Sequence, residues 1–537
     1  MKRVISLVIA LMMTATVFIP AIAQEESVLY YTVGTASYPD PAIGSGFQQA
    51  AVFLNTYDPL VQLNDDNIPD PNESIAERWE VSDDGLTYTF HIRRGVLFHD
   101  LTELTAEDVV FSFNRLLDIG QGFSFLFKGK VASVTQLDEY TAEVVLNQRF
   151  GPFISTLIRM YIVNKDLLLA NASDGNYGEC GDYGVAWLLD GHDAGSGAYK
   201  IVDYQTDAYI VSDKFEEYWR PFAPNAPDRT HMTMVYDPTT LKLRMQKREL
   251  DISKFNMTPE WYAEVDAVEG IDVKNEPVLT QFYLMMHNQK APTDDLHFRK
   301  ALAYLFDYVT VVEDIFTDSA APAAGCVPQL CPGHNPDVFV YEHNLAKAEE
   351  ELRMSKYYDT LSDYMPIEVV WCSNQPKEEE SGLLLKRDAA QLGIDIELVP
   401  QTWTQITEAS SSPDTTQHAY FIWVAGDYPE ALSLLYSKFH SQATGSWNQT
   451  EWLMNDVIDA MIDDALATSD YQLRQGKAMA IQTAIMEICP SIFAYDSIDR
   501  FAYQAHYMEL PDRANPIMGY FYEMRRINIY PEKKAEL

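Results

Sequence analysis

Residues able to do covalent chemistry are abundant in this chain but nowhere assembled. The eleven histidines stand singly, and no His-Glu-x-x-His pair offers a zinc helix. Gly44-Ser45-Gly46 and Gly195-Ser196-Gly197 lack the spacing of a nucleophile elbow. No Gly-rich loop ends in Lys-Ser or Lys-Thr to cradle phosphate. Carboxylates are so frequent, 79 Asp and Glu, that adjacency says little; a glycosidase pair would be invisible in this background. The run Glu378-Glu379-Glu380 reads as a solvated face. The five cysteines are an odd count, so at least one is unpaired or pairs between chains. Cys326 and Cys331 lie close together in a loop-like stretch and are expected to form a local disulfide in an oxidising compartment. Cys180, Cys372 and Cys489 cannot be paired from sequence. A metal reading of the close pair lacks a second Cys or His pair at zinc spacing. The expectation is a protein without catalytic residues, metal or cofactor.

The first residues bear on the compartment. Lys2 and Arg3 precede an apolar run over 4–18 that closes in Ala21-Ile22-Ala23, the three parts of a cleavable signal peptide over 1–23. The alternative is an uncleaved anchor, but the flank after Ala23 is not a basic stop-transfer signal. No cysteine lies near the cleavage site to take a lipid, and no later stretch approaches the ~20 apolar residues of a spanning helix. An exported, periplasmic, monomeric protein is expected. A formal charge of −40 disfavours nucleic acid and anionic lipid as partners; it also fits a saline habitat, which composition does not decide. With 47% hydrophobic residues over 537 positions, two or three lobes are expected rather than one core.

Hydrophobic periodicity supplies the elements. Residues 28–33 read as a strand and 48–57 as a helix. Over 75–93 the alternation of Leu86, Tyr88, Phe90 and Ile92 with Thr87, Thr89 and His91 predicts a hairpin turning at Asp84-Gly85. Thr105 and Asp108 have capping-box spacing at the head of a helix. A second hairpin is predicted over 131–146, then a polar loop over 171–196 and a strand over 197–204. Beyond residue 279 the texture changes. A strand over 282–288 and one long amphipathic helix over 294–316 are followed by strands 366–371 and 394–399 around a helix near 383–392. That order predicts a second α/β lobe with a mostly parallel sheet. Helices are predicted over 456–467 and 472–489.

Five ordered blocks carry a resemblance. Trp79, Ser82-Asp-Asp-Gly-Leu-Thr-Tyr-Thr-Phe90, Phe98-His-Asp100 and Leu104-Thr-Ala-Glu-Asp-Val109 resemble the family 5 extracellular solute-binding proteins of ABC transporters, the dipeptide- and oligopeptide-binding group. Gly197-Ala-Tyr-Lys200 with Glu217-Tyr-Trp219, Arg248-Glu-Leu-Asp251, Phe298 to Asp307, and Trp423-Val-Ala-Gly-Asp-Tyr-Pro-Glu430 are similar to further family blocks. The chain departs from the pattern at Leu101 and Arg248, where the family has Gly, and at Ala198, where it has Pro.

The resemblance implies an α/β, two-lobed periplasmic-binding-protein-like fold of the type II, cluster C kind, with an extra inserted subdomain and a ligand cleft between lobes. Residues 24–65, 191–280 and 501–537 would build lobe I, 66–190 the inserted subdomain and 281–500 lobe II. A peptide or other small molecule would be shut between the lobes and delivered to membrane permease subunits. The resemblance places Asp427 on the ligand's α-ammonium, which suits a buried ammonium's need for a fixed anion; the alternative is a turn cap before Pro429. Trp423 and Trp403 match aromatic pocket walls, or are core. Tyr283, and Ser45, Gly46 and Phe47 after the Asp40-Pro41 turn, are further candidates. Relatives of this kind also bind nickel chelates and oligosaccharides, so a non-peptide solute stays open beside peptide capture, as does a secreted enzyme or sensor.

Overall fold

The computed structural model describes residues 26–33, 39–235, 237–254, 257–512 and 522–536. The expected signal peptide and the side chain of Phe47 lie outside that description.

Lobe I is built on a four-stranded sheet in the order Val28–Thr32, Arg229–Thr233, Tyr209–Lys214, Tyr199–Gln205. Only the first pairing is parallel, so the N-terminal strand is stitched to one some two hundred residues on. Buried charge fixes the same assembly. Asp58, 1% exposed, accepts from Ser196 Oγ at 2.9 Å, Tyr218 Oη at 2.8 Å and Arg220 Nη2 at 3.1 Å. Arg220 then reaches Glu523 Oε1 at 2.9 Å, tying in the C-terminal segment. A charge removed from water is tolerated when its remaining hydrogen-bonding positions are filled.

The inserted subdomain is an antiparallel sheet in the order Ala76–Val81, Thr87–Ile92, Thr141–Leu146, Val131–Asp138. Gly85 takes φ +70° at the predicted hairpin turn, and Tyr88, Phe90 and Ile92 point inward. The helix Ala106–Ile119 covers them; its N-terminus has the expected capping box between Thr105 and Asp108.

Lobe II holds a six-stranded sheet in the order Ala320–Pro322, Ser491–Tyr503, Asp272–Met286, Ala419–Ala425, Ile367–Cys372, Ile396–Gln401. It is mixed rather than mostly parallel, because only Ile367–Cys372 runs parallel to its two neighbours. The strand expected over 282–288 begins ten residues earlier, at Asp272. It and Ser491–Tyr503 pair continuously from one lobe into the other, with a register shift between Pro277 and Gln281. On the lobe I side Tyr503 bridges Ile252, which bridges Tyr31. A slipped register at a proline, which cannot donate to the ladder, is where a strand pair bends.

Two further expectations are corrected. The helix over 294–316 is broken: Leu296–Leu305 ends at an extended Phe306, and the Asp307 side chain accepts from Thr310 N at 3.1 Å to start a new turn. An Asp that bonds the local backbone competes with helix continuation. Glu378 is not solvated; it is 1% exposed, accepts from Cys372 N at 2.6 Å, and burial pushes its carboxyl up to about 8. The first helical turn faces inward at that position. Among the described residues, no helix is long and apolar enough to cross a membrane.

Candidate functional site

The three mutually parallel strands of lobe II end at Cys372, Gln401 and Ala425 on one edge of the sheet. Ligands of open α/β sheets bind beyond the carboxyl ends of such strands, where loops are free to vary. Trp403 follows the second strand and Asp427 the third. Residues 149–159 of the inserted subdomain close over this edge.

Asp427 is held by its backbone. Its N–H donates to Ser433 Oγ at 2.8 Å, and its carbonyl accepts from Arg159 Nε at 3.0 Å, across the lobe boundary. The carboxylate is half-buried. Among the described residues it has no hydrogen-bond donor in reach and no cation within 4.0 Å. Burial raises its pKa, opposed at longer range by Lys438, Arg159 and Lys130. The turn therefore holds the Asp427 backbone and leaves its carboxylate without a hydrogen bond among the described residues.

The surrounding cations are themselves pressed by burial. Lys438 is 1% exposed and lowered to about 8, chiefly by desolvation. Its ammonium donates to Asn448 Oδ1 at 2.8 Å and stands 4.7 Å above the Trp447 ring. Glu451, whose charge Lys438 feels, is pushed up to about 7 by burial, with one oxygen accepting from Ser491 Oγ at 2.7 Å and Oε2 without a partner among the described residues. From the inserted subdomain, the Arg159 guanidinium lies 4.4 Å from the Phe123 ring centroid and Lys130 Nζ 4.9 Å from that of Phe150. Burial lowers the pKa of both.

Just beyond Asp427 the lobes are latched. Glu430, 1% exposed, receives Arg474 Nε at 2.8 Å and Nη2 at 2.9 Å within lobe II, and Ser155 Oγ from the inserted subdomain. Gly151 N donates to Leu466 O at 2.6 Å. A Cβ on Gly151 would come 2.0 Å from the Thr468 carbonyl oxygen. Phe150 meets Tyr428 edge-on at 6.4 Å.

The sequence candidates divide accordingly. Asp427 lies just beyond the carboxyl end of the strand Ala419–Ala425, where Arg159 of the inserted subdomain meets it. Trp403 is 47% exposed at the head of its helix, with its ring 5.2 Å from Trp447. That aromatic pair leads through Lys438 back to Asp427. Trp423 belongs mostly to the lobe II core, 4.7 Å from Phe282, with Nε1 donating to Tyr495 Oη at 2.9 Å. Tyr283 is a correction: it is fully buried, its hydroxyl donates to the Cys326 carbonyl, and Phe493 packs edge-on at 4.8 Å. Strand alternation turns it under the helices rather than toward the cleft. Ser45 and Gly46 are exposed just before the helix Phe47–Thr56, with no described contact to Asp427. The disulfide expectation is also corrected. Cys326 and Cys331 are both buried thiols, and Cys331 Sγ is turned to the Pro332 carbonyl at 3.8 Å. Burial raises both pKa values, so neither carries the thiolate that exchange requires.

Sequence reasoning missed Arg159, Lys130, Lys438 and Trp447. A signal existed for two of them: Arg159 is a lone cation in the apolar run 153–163, and Lys438 one in the helix Ala431–Phe439. A single charge in an apolar run is either paired in the fold or reserved for a ligand.

Known proteins place this geometry. The chain is 26% identical over 503 residues to the dipeptide-binding protein of Escherichia coli, covering 88% of this chain and 90% of that one. It is 26% identical over 423 residues to heme-binding protein A of Haemophilus influenzae, covering 75% of each. Among solved structures, a periplasmic binding protein of Helicobacter pylori in complex with the peptide STSA superposes with a TM-score of 0.74 at 20% identity, covering 94% of this chain and 98% of that one. Residues 70–446 match the family model described as bacterial extracellular solute-binding proteins, family 5 Middle. The two lobes, the paired strands that cross between them and this match together establish that the chain belongs to the family 5 extracellular solute-binding proteins.

Proposed function

We propose that this protein captures short peptides between its lobes and delivers them to the permease of an ABC importer, acting as an exported monomer that binds without chemistry. The lobes would divide near residues 281 and 500, and closure would be a bend of the two crossing strands at the register shift. The observation that carries the reading is the Asp427 carboxylate: half-buried, without a side-chain partner among the described residues, and set at the carboxyl end of a central strand where the lobes meet. A ligand ammonium satisfies it with a charge-assisted hydrogen bond, while Trp403 and Trp447 offer ring surface to side chains. The names of the relatives support peptides as the solute class. Asp427→Ala is expected to lower dipeptide affinity at least about tenfold, ~1.4 kcal/mol, in isothermal titration. Equal affinity in both proteins would refute the amine anchor. Native mass spectrometry of the purified protein, before and after denaturation, would identify a retained peptide by its mass.

A further inference from the structure

This inference rests on the peptide reading and narrows the ligands it admits. Three cations gather on Asp427: its carbonyl accepts from Arg159 Nε at 3.0 Å, and its carboxylate is felt by Lys438 from its own lobe and by Arg159 and Lys130 from the inserted subdomain. Lys438 feels the Glu451 carboxylate as well as that of Asp427. Lys130 has no carboxylate within 4.0 Å among the described residues; its ammonium donates only to the Leu126 carbonyl, at 3.0 Å, and faces the Phe150 ring. In a chain with 79 acids and 39 bases, a half-buried lysine left without an acidic partner at the ligand cleft calls for an anion from elsewhere. An ammonium docked on Asp427 alone would add one more positive charge to this cluster, and like charges in a low-dielectric cleft oppose each other strongly.

We infer that the cleft selects a zwitterionic end, in which the ammonium held by Asp427 is accompanied, a few carbons away, by a carboxylate that docks against Lys130 and Arg159. The two groups can be served at once, because Arg159 Nε is anchored on the Asp427 carbonyl at 3.0 Å and its charge therefore lies beside that residue. The chemical class is a peptide whose first residue is Asp or Glu. A peptide beginning with Lys or Arg places its second positive charge in the same cluster and is disfavoured.

The test compares Glu-Ala with its neutral isostere Gln-Ala by isothermal titration on the full mature protein at pH 7. Glu-Ala is expected to bind about tenfold more tightly or better. The ratio should fall to about threefold or less in Lys130→Gln and be retained in Lys130→Arg, which separates the charge from the packing of the side chain on Phe150. Near-equal affinity in the wild type, or a preference untouched by Lys130→Gln, overturns the inference and leaves peptide binding standing. If neither peptide binds, the peptide reading itself fails and this inference falls with it.

Discussion

At Asp427 burial raises the energy of the charged carboxylate, and Lys438, Arg159 and Lys130 offset this only at longer range, with no hydrogen-bond donor in reach among the described residues. That imbalance is what a ligand can relieve, and it distinguishes Asp427 from Asp58 or Asp40, whose oxygens are filled by arginine and hydroxyl groups inside the fold. A contrasting residue is Leu101, which departs from the family's glycine. It sits at φ +72° and is 58% exposed, so it bears the left-handed strain without burying its side chain. Leu101→Gly is expected to raise stability by about 0.5–1 kcal/mol, the left-handed penalty less the chain entropy of glycine, read as a higher midpoint in urea. Arg248, the other departure, also has positive φ, at +61°. Its guanidinium donates to Gln504 Oε1 at 2.6 Å, so the same exchange there also removes a contact and is expected to gain less.

At the scale of elements, the segment 149–159 of the inserted subdomain meets the loop and helix ends of lobe II through backbone as much as through side chains. Gly151 is in contact with the Thr468 carbonyl with no room for a Cβ, and Ser155 bonds the Glu430–Arg474 pair. In the proposed closing motion these contacts form only when the lobes are together. Gly151→Ala is therefore expected to leave each lobe folded, with an unchanged circular dichroism spectrum, but to weaken peptide binding about tenfold or more by obstructing closure. Small-angle X-ray scattering with saturating peptide should show the variant more extended than the wild type. Unchanged affinity would mean that the glycine's contact with Thr468 is not needed for capture. The crossing strands, by contrast, pair on both sides of Pro277, with register slips between Pro277 and Gln281 and again between Phe282 and Tyr283.

Over the whole molecule, burial raises the carboxyls of Glu378 to about 8, Glu451 and Asp499 to about 7, and Asp496 to about 6. Folded, these groups hold their protons to higher pH than they do in the unfolded chain. Between about pH 4 and the raised values the folded state holds protons at these carboxyls that the unfolded chain has lost, so their contribution to stability falls as pH rises through that window, opposed in part by His231, His287, His334 and His418, whose pKa values burial lowers. The thermal midpoint is expected to be lower at pH 8 than at pH 5.5, with the difference narrowed in Glu378→Gln, whose amide oxygen can still accept from Cys372 N. A midpoint that rises across this window would contradict the assignment. The sequence by itself determined the family, the hairpin and capping box of the inserted subdomain and the α/β character of lobe II, because each is written in local periodicity or in a contiguous motif. It did not determine that Asp427 lacks a side-chain partner among the described residues, that Tyr283 turns inward, that Glu378 is buried, or that Arg159 of the inserted subdomain bonds the Asp427 carbonyl of lobe II. Those facts depend on which distant segments meet. Only the tertiary structure decides them, since burial and electrostatic field are properties of the surroundings rather than of the residue.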